Sequence, residues 1–171
     1  MASLKIALGN WLRDAKRIAL LGIGSELRGD DVAGILVASE LRKNCRKISG
    51  GRRFKVFLGA TAPENLTGEI KKFKPTHLVI IDSADTGKKA GEIALINPEQ
   101  ANGITFCTHR LPLKIMVDYL IEAIGCEVLI VGIKPKTLDF GSLPSKEVKK
   151  AIKIISGTIK EIINNSIRKE K

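Results

Sequence analysis

The sequence predicts an α/β protein with a three-layer α/β/α build, helices covering both faces of a five-stranded, mostly parallel, twisted sheet. Apolar runs of strand length, among them 78–81 and 128–133, alternate with segments whose apolar residues recur at helical spacing, the pattern of βα units around a central sheet. The strand centres are continuously apolar rather than alternating, as expected where helices lie on both faces. Size agrees. The 171 residues amount to about one domain at about 150 residues each, and a chain of this length buries about 70% of its unfolded surface, so a core closes without disulfides or metal. The whole chain, 1–171, therefore reads as one domain with an N-terminal helical extension at 1–16.

The elements follow in order. Leu4, Ala7, Leu8, Trp11 and Leu12 have helical spacing and predict a short amphipathic helix over 3–14. Residues 17–23 read as a buried first strand, 24–30 as a turn. Asp30 is the predicted N-cap of a helix over 31–42, whose Val32, Ile35, Leu36, Ala38 and Leu41 share a side. A basic loop leads to strand two at 55–58. Pro63 opens a short helix ending near 73. Strand three spans 76–82, strand four 91–96, helix three 111–124 and strand five 127–133. A long last helix starts at Pro144, with Val148, Ala151, Ile152, Ile155, Ile159, Ile162 and Ile163 on one face. Residues 168–171 are expected to fray. There is no internal repeat, linker or low-complexity segment.

Composition narrows the function. The apolar content of 44% excludes a mostly disordered chain. No apolar run approaches the about 18–20 residues of a spanning helix, and the start lacks the apolar stretch and cleavage site of a secretory signal. Both point to a cytoplasmic protein without a membrane partner. Cys45, Cys107 and Cys126 are scattered and odd in number, and without a CxxC pair neither a zinc knuckle nor a redox motif is present. Reduced thiols in the cytosol are the simpler reading. The net charge of +11, from 29 basic and 18 acidic residues, fits a lysine-rich exterior. Nucleic acid is the alternative, resting on Arg42, Lys43, Arg46, Lys47, Arg52, Arg53 and Lys55. Only Phe54 interleaves these, which disfavours a stacking platform.

In open α/β sheets ligands sit beyond the carboxyl ends of the strands. Three segments put polar groups there. The first, Gly22-Ile23-Gly24-Ser25-Glu26-Leu27-Arg28-Gly29-Asp30-Asp31, invites a dinucleotide reading, but Leu27 stands where the third glycine belongs. Two aspartates where a pyrophosphate would lie favour a cation instead. In the second, Asp82 ends an apolar strand, where an ionised carboxylate needs hydrogen bonds or a cation. An Asx-turn at the strand exit suits the nearby Asp85 better. In the third, His109 lies at a helix entry after Thr108, while His77, at the opposite end of strand three, is a bystander. Two carboxylates and one imidazole make an O,O,N donor set for a borderline divalent metal such as nickel or zinc. Cys107, two residues before His109, is a nucleophile candidate without a supporting protease signature; a buried structural thiol is the plainer reading.

These segments resemble, in order, the motifs of the NiFe-hydrogenase maturation proteases, and within them the branch acting on the hydrogenase 3 (formate hydrogenlyase) large subunit. Besides the turn above, which continues into Val32-Ala33-Gly34, the matches are Ala62-Pro63-Glu64-Asn65, Pro75 through Asp85 with Gly87, Gly91-Glu92-Ile93, Thr108-His109-Arg110-Leu111-Pro112-Leu113 and Gly132-Ile133-Lys134-Pro135. Together they span about residues 17 to 160. The resemblance implies a mixed sheet with strand four antiparallel. It implies a cytoplasmic endopeptidase that removes the C-terminal extension of the hydrogenase large-subunit precursor after nickel insertion. It also implies that Asp31, Asp82 and His109 serve as catalytic and nickel-contacting residues, with roles the sequence does not separate. The nickel would arrive on the substrate as the recognition feature, and no organic cofactor is implied. Two departures from the family pattern are Ser25, in place of the usual asparagine, and Val32, in place of a frequent glycine. A non-catalytic nickel-sensing chaperone or binding module on the same fold is the alternative.

Overall fold

The computed structural model describes residues 2–44, 53–100, 105–106 and 113–165. Its middle layer is a sheet of β1 (Arg17–Ile23), β2 (Arg53–Ala60), β3 (His77–Asp85), β4 (Ile93–Ile96) and β6 (Glu127–Ile133), with a two-residue β5 (Thr105–Phe106) attached to the end of β3. The spatial order is β2-β1-β3-β6-β4. β2, β1, β3 and β6 run parallel, and β4 pairs antiparallel with β6. The mixed, mostly parallel sheet is thus as expected, including the reversed fourth strand.

The helices divide between the two faces. Helices α1 (Ala2–Trp11), α2 (Ala33–Asn44) and α5 (Lys146–Asn165) cover one, where Leu8, Val37, Leu41, Ile155 and Ile159 pack with Leu20, Val79, Ile81 and Val131 of the sheet. Helices α3 (Thr67–Phe73) and α4 (Leu113–Ile124) cover the other, where Ile70, Met116, Val117 and Leu120 meet Leu21, Leu78, Ile80 and Ile130. Alternate β3 residues thus enter opposite cores, as the period of two in a strand requires. The N-terminal extension joins this packing: Leu8 and Leu12 are almost fully buried, and the Trp11 ring meets His77 edge-on at 4.8 Å. No helix of the described residues is long and apolar enough to cross a membrane.

Several boundaries differ from the sequence reading for local reasons. Helix α2 begins at Ala33, preceded by a 3-10 turn at Gly29–Val32 in which Arg28, not Asp30, holds the cap position. A second 3-10 turn, Pro63–Leu66, precedes α3. β3 continues past Asp82 to Asp85 because Ala84 and Asp85 pair with Phe106 and Thr105 of β5. α5 starts at Lys146 rather than Pro144. Ser145 is its N-cap: the Oγ accepts the Val148 N–H at 3.3 Å and the carbonyl accepts the Lys149 N–H at 2.9 Å.

Candidate active site at the carboxyl ends of β1 and β3

From β1 the chain passes through α2 to β2, then through α3 on the opposite face to β3 on the other side of β1. The carboxyl ends of β1 and β3 are therefore the point where the winding reverses, and such a point opens a crevice in a parallel sheet. The turn after β1 is packed against it at backbone distance. Gly24 has φ +140°, and a Cβ there would fall 1.8 Å from the Asp31 carbonyl oxygen. At Gly34 a Cβ would meet the carbonyl oxygens of Ile81 at 2.1 Å and Ile23 at 2.3 Å. Glycine at both positions lets the start of α2 sit directly on the two strand ends. A register shift between Gly22 and Ile23 against β2, of the kind common beside active sites, redirects the chain into the turn.

Asp31 and Asp82 are both completely buried. Their segments touch where the Ser83 hydroxyl donates to the Asp30 carbonyl at 3.0 Å; within the segments the Asp31 N–H donates to the Arg28 carbonyl at 2.9 Å, and Asp82 Oδ1 accepts the Ser83 N–H at 2.7 Å. The fold thus brings the two predicted aspartates onto adjoining backbone at the carboxyl ends of β1 and β3. His109, the third predicted residue, and Cys107 lie outside the described residues, as does Cys45. Among the described residues no three histidine, cysteine, aspartate or glutamate side chains come together. His77 sits at the start of β3, five residues and about 16 Å from Asp82 at about 3.3 Å per residue. Its Nδ1 lies 3.1 Å from Thr76 Oγ1, and its Nε2 lies 3.6 Å from Glu127.

Asp30 has a different task from its neighbour. Its fully buried carboxylate accepts four hydrogen bonds from the loop before α5: Oδ2 from the Lys136 N–H at 2.7 Å, the Thr137 N–H at 3.2 Å and the Ser145 hydroxyl at 2.9 Å, and Oδ1 from the Ser145 N–H at 2.6 Å. It is a clamp between the β1 turn and residues 136–145, not a helix cap. The sequence carried one half of that signal, since a serine after proline at the start of an apolar-periodic segment marks an N-cap. Its partner, 115 residues away in sequence, carried none.

Asp85 makes the Asx-turn expected of it, accepting the Gly87 N–H at 3.0 Å, and forms an ion pair with Lys134 at 2.5 Å. The hydrogen bond from Lys134, reinforced by that from Gly87, holds the Asp85 carboxyl below its ordinary value. Ser25 is largely buried, and its Oγ accepts the Leu27 N–H at 3.3 Å, a local contact that serine reaches without the longer asparagine side chain. Of the basic stretch, residues 45–52 lie outside the described residues; Phe54 is half-buried against the core, and Lys55 pairs with Glu69 at 3.5 Å.

Comparison with known proteins agrees with this architecture. The family model described as HycI, hydrogenase maturation protease, matches residues 35–163. The hydrogenase 3 maturation protease of Escherichia coli K12 is 36% identical over 137 residues, 80% of this chain and 84% of that protein. The chain belongs to the hydrogenase maturation protease family. Among solved structures it is similar to the NiFe hydrogenase maturation protease HycI of Thermococcus kodakarensis, with a TM-score of 0.81 and 30% identity over 92% of this chain and 98% of that one. It is also similar to the endopeptidase HycI of E. coli, with a TM-score of 0.68 and 33% identity over 82% and 87%. This hydrogenase maturation protease is a peptidase, and its buried aspartates lie at the carboxyl ends of β1 and β3, where the winding of the sheet reverses.

Proposed function

We propose that this hydrogenase maturation protease removes the C-terminal extension of a NiFe-hydrogenase large-subunit precursor after nickel insertion, and that Asp31, Asp82 and His109 read the nickel, which arrives on the substrate. Support comes above all from two fully buried carboxylates on adjoining segments at the switch point. Neighbouring carboxylates repel one another, and a divalent cation relieves this. Carboxylate and imidazole ligands suit a borderline metal held on its other side by substrate thiolates. Docking through such a cation would order the tail and hold its scissile bond beside the aspartates, an orientation effect worth several kcal/mol. One aspartate, Asp31 by choice, would instead of contacting the nickel serve as the base that takes a proton from the attacking water. The water oxygen adds to the scissile carbonyl, the C–N bond breaks, and the proton passes to the departing amine. No organic cofactor enters this scheme. The reaction belongs in the cytoplasm, as the resemblance implies.

The test is intact-mass analysis of a large-subunit precursor incubated with the protein, with and without nickel loaded. Loss of a C-terminal peptide from the nickel-loaded form alone is expected. Full processing by Asp82→Ala or His109→Ala overturns the residue assignment. Cleavage regardless of nickel removes metal recognition from the scheme. A precursor that is bound but left intact overturns the proposed reaction.

A further inference from the structure

The most solvent-exposed large apolar side chains among the described residues include Leu143 at 80%, Phe140 at 79% and Leu27 at 60%. Phe140 and Leu143 stand on the loop between β6 and α5, and Leu27 stands on the turn after β1. The two backbones are joined: Arg28 and Phe140 form an antiparallel bridge, and the Gly141 N–H donates to the Leu27 carbonyl at 2.8 Å. The Asp30 clamp holds the same loop from beneath through Lys136, Thr137 and Ser145. Surface loops ordinarily carry polar side chains, and each large apolar residue left in water forgoes the gain of burial. Here that exposure is combined with a backbone already immobilised, which is how a binding surface avoids ordering cost at the moment of contact.

We propose that Leu27, Phe140 and Leu143 form an apolar docking rim that seats an apolar surface segment of the folded large-subunit precursor, next to the tail to be cut. This rests on the function proposed above. Continuity with the candidate active site selects the occupant. Leu27 and Asp31 lie four positions apart on the turn after β1, and the Phe140 loop is joined to that turn, so the rim adjoins the place where the tail would be cut. A second copy of this chain seated on the rim would obstruct that place. Arg28, which bonds the Leu138 carbonyl through Nε at 3.4 Å, and Lys136 give the rim the polar border usual around an apolar contact centre.

The experiment measures the dissociation constant of the nickel-loaded full-length precursor by calorimetry, alongside its processing. It compares the wild type, the double variant Leu27→Ser with Phe140→Ser, and Ile6→Ser, an exposed apolar residue on α1, as control. Both rim side chains are mainly in solvent, so the double variant should melt within about 2 °C of wild type; if it fails to fold, Leu143→Ser alone carries the test. The dissociation constant is expected to rise about tenfold or more for the rim variant and to stay unchanged for Ile6→Ser. An unchanged constant overturns the rim while processing by the wild type upholds the protease reading. Rim-dependent binding without cleavage by the wild type upholds the rim and overturns that reading. A dimer that falls apart in the rim variant with precursor binding unchanged assigns the rim to a second copy and overturns the proposal.

Discussion

Replacing Asp30 by alanine is the sharpest probe of how the site is held. The substitution removes an acceptor that takes four hydrogen bonds at 2.6–3.2 Å and leaves three backbone N–H donors, of Lys136, Thr137 and Ser145, without their partner. An unmade bond at a buried donor costs about 1–3 kcal/mol. Simple addition would reach about 3–9 kcal/mol, but water entering the vacated volume recovers part, so about 3–5 kcal/mol is expected. For a chain of this length that lowers Tm by about 6–20 °C, at about 2–4 °C per kcal/mol. Asp30→Asn should cost less. With its amide oxygen turned toward the three-donor side, its NH2 group opposes only the Ser145 N–H. The assay is urea and thermal unfolding of wild type and both variants, followed by circular dichroism. If Asp30→Ala melts within 2 °C of wild type, the carboxylate is not the clamp described here, and the placement of Asp31 needs another cause.

Gly34→Ala should destabilise by about 3 kcal/mol or more, since backbone carbonyls at 2.1 and 2.3 Å cannot move aside as a side chain would; denaturant midpoints check this. Asp31→Asn and Asp82→Asn should fold with Tm near or above wild type while losing processing at least about a hundredfold, the usual scale for removing a positioned acid or base, read by intact mass. Stability should fall in acid as Asp85 and Glu147 titrate. Both are held below their ordinary values of 3.8 and 4.5, each chiefly by a lysine hydrogen bond, so their contribution is present above those values and is lost as the pH falls through the lower folded ones. Lys134→Gln should flatten that limb in pH-dependent melts. Burial raises the Cys126 thiol above 9.0, so its contribution is present below pH 9.0 and is lost as the pH rises through the folded value; Cys126→Ala should remove that alkaline decline.

The legible parts of this protein were those set by local pattern. Buried parallel strands announced themselves as unbroken apolar runs, because helices cover both faces and no residue needs to face water. Helix α5 was visible from Val148 to Ile163 through its spacing. Its start was misplaced by two residues because Pro144 is a strong helix-entry signal, whereas the capping bonds belong to Ser145. The end of β3 was placed early because Asp82 looks like a terminus, and only pairing with β5 carries the strand on. For the site, the acidic turn and the strand-end aspartate stood out as charges in places where charge is costly. What the two adjacent aspartates of that turn do was not legible: both are equally buried, and only the loop from Lys136 to Ser145 identifies Asp30 as the clamp.

By itself the sequence determined the layer architecture, the family and the candidate Asp31, Asp82 and His109, because periodicity, strand-end chemistry and motif order are properties of neighbouring residues along the chain. The tertiary structure alone decided that Asp31 and Asp82 lie on adjoining backbone at the carboxyl ends of β1 and β3, that Asp30 is committed to holding the fold, and that the exposed Leu27 and Phe140 stand on joined backbones. Each of these depends on contact between segments far apart in sequence. Such contact is set by how β1, β3 and the loop before α5 pack, and the one-dimensional pattern holds no record of it.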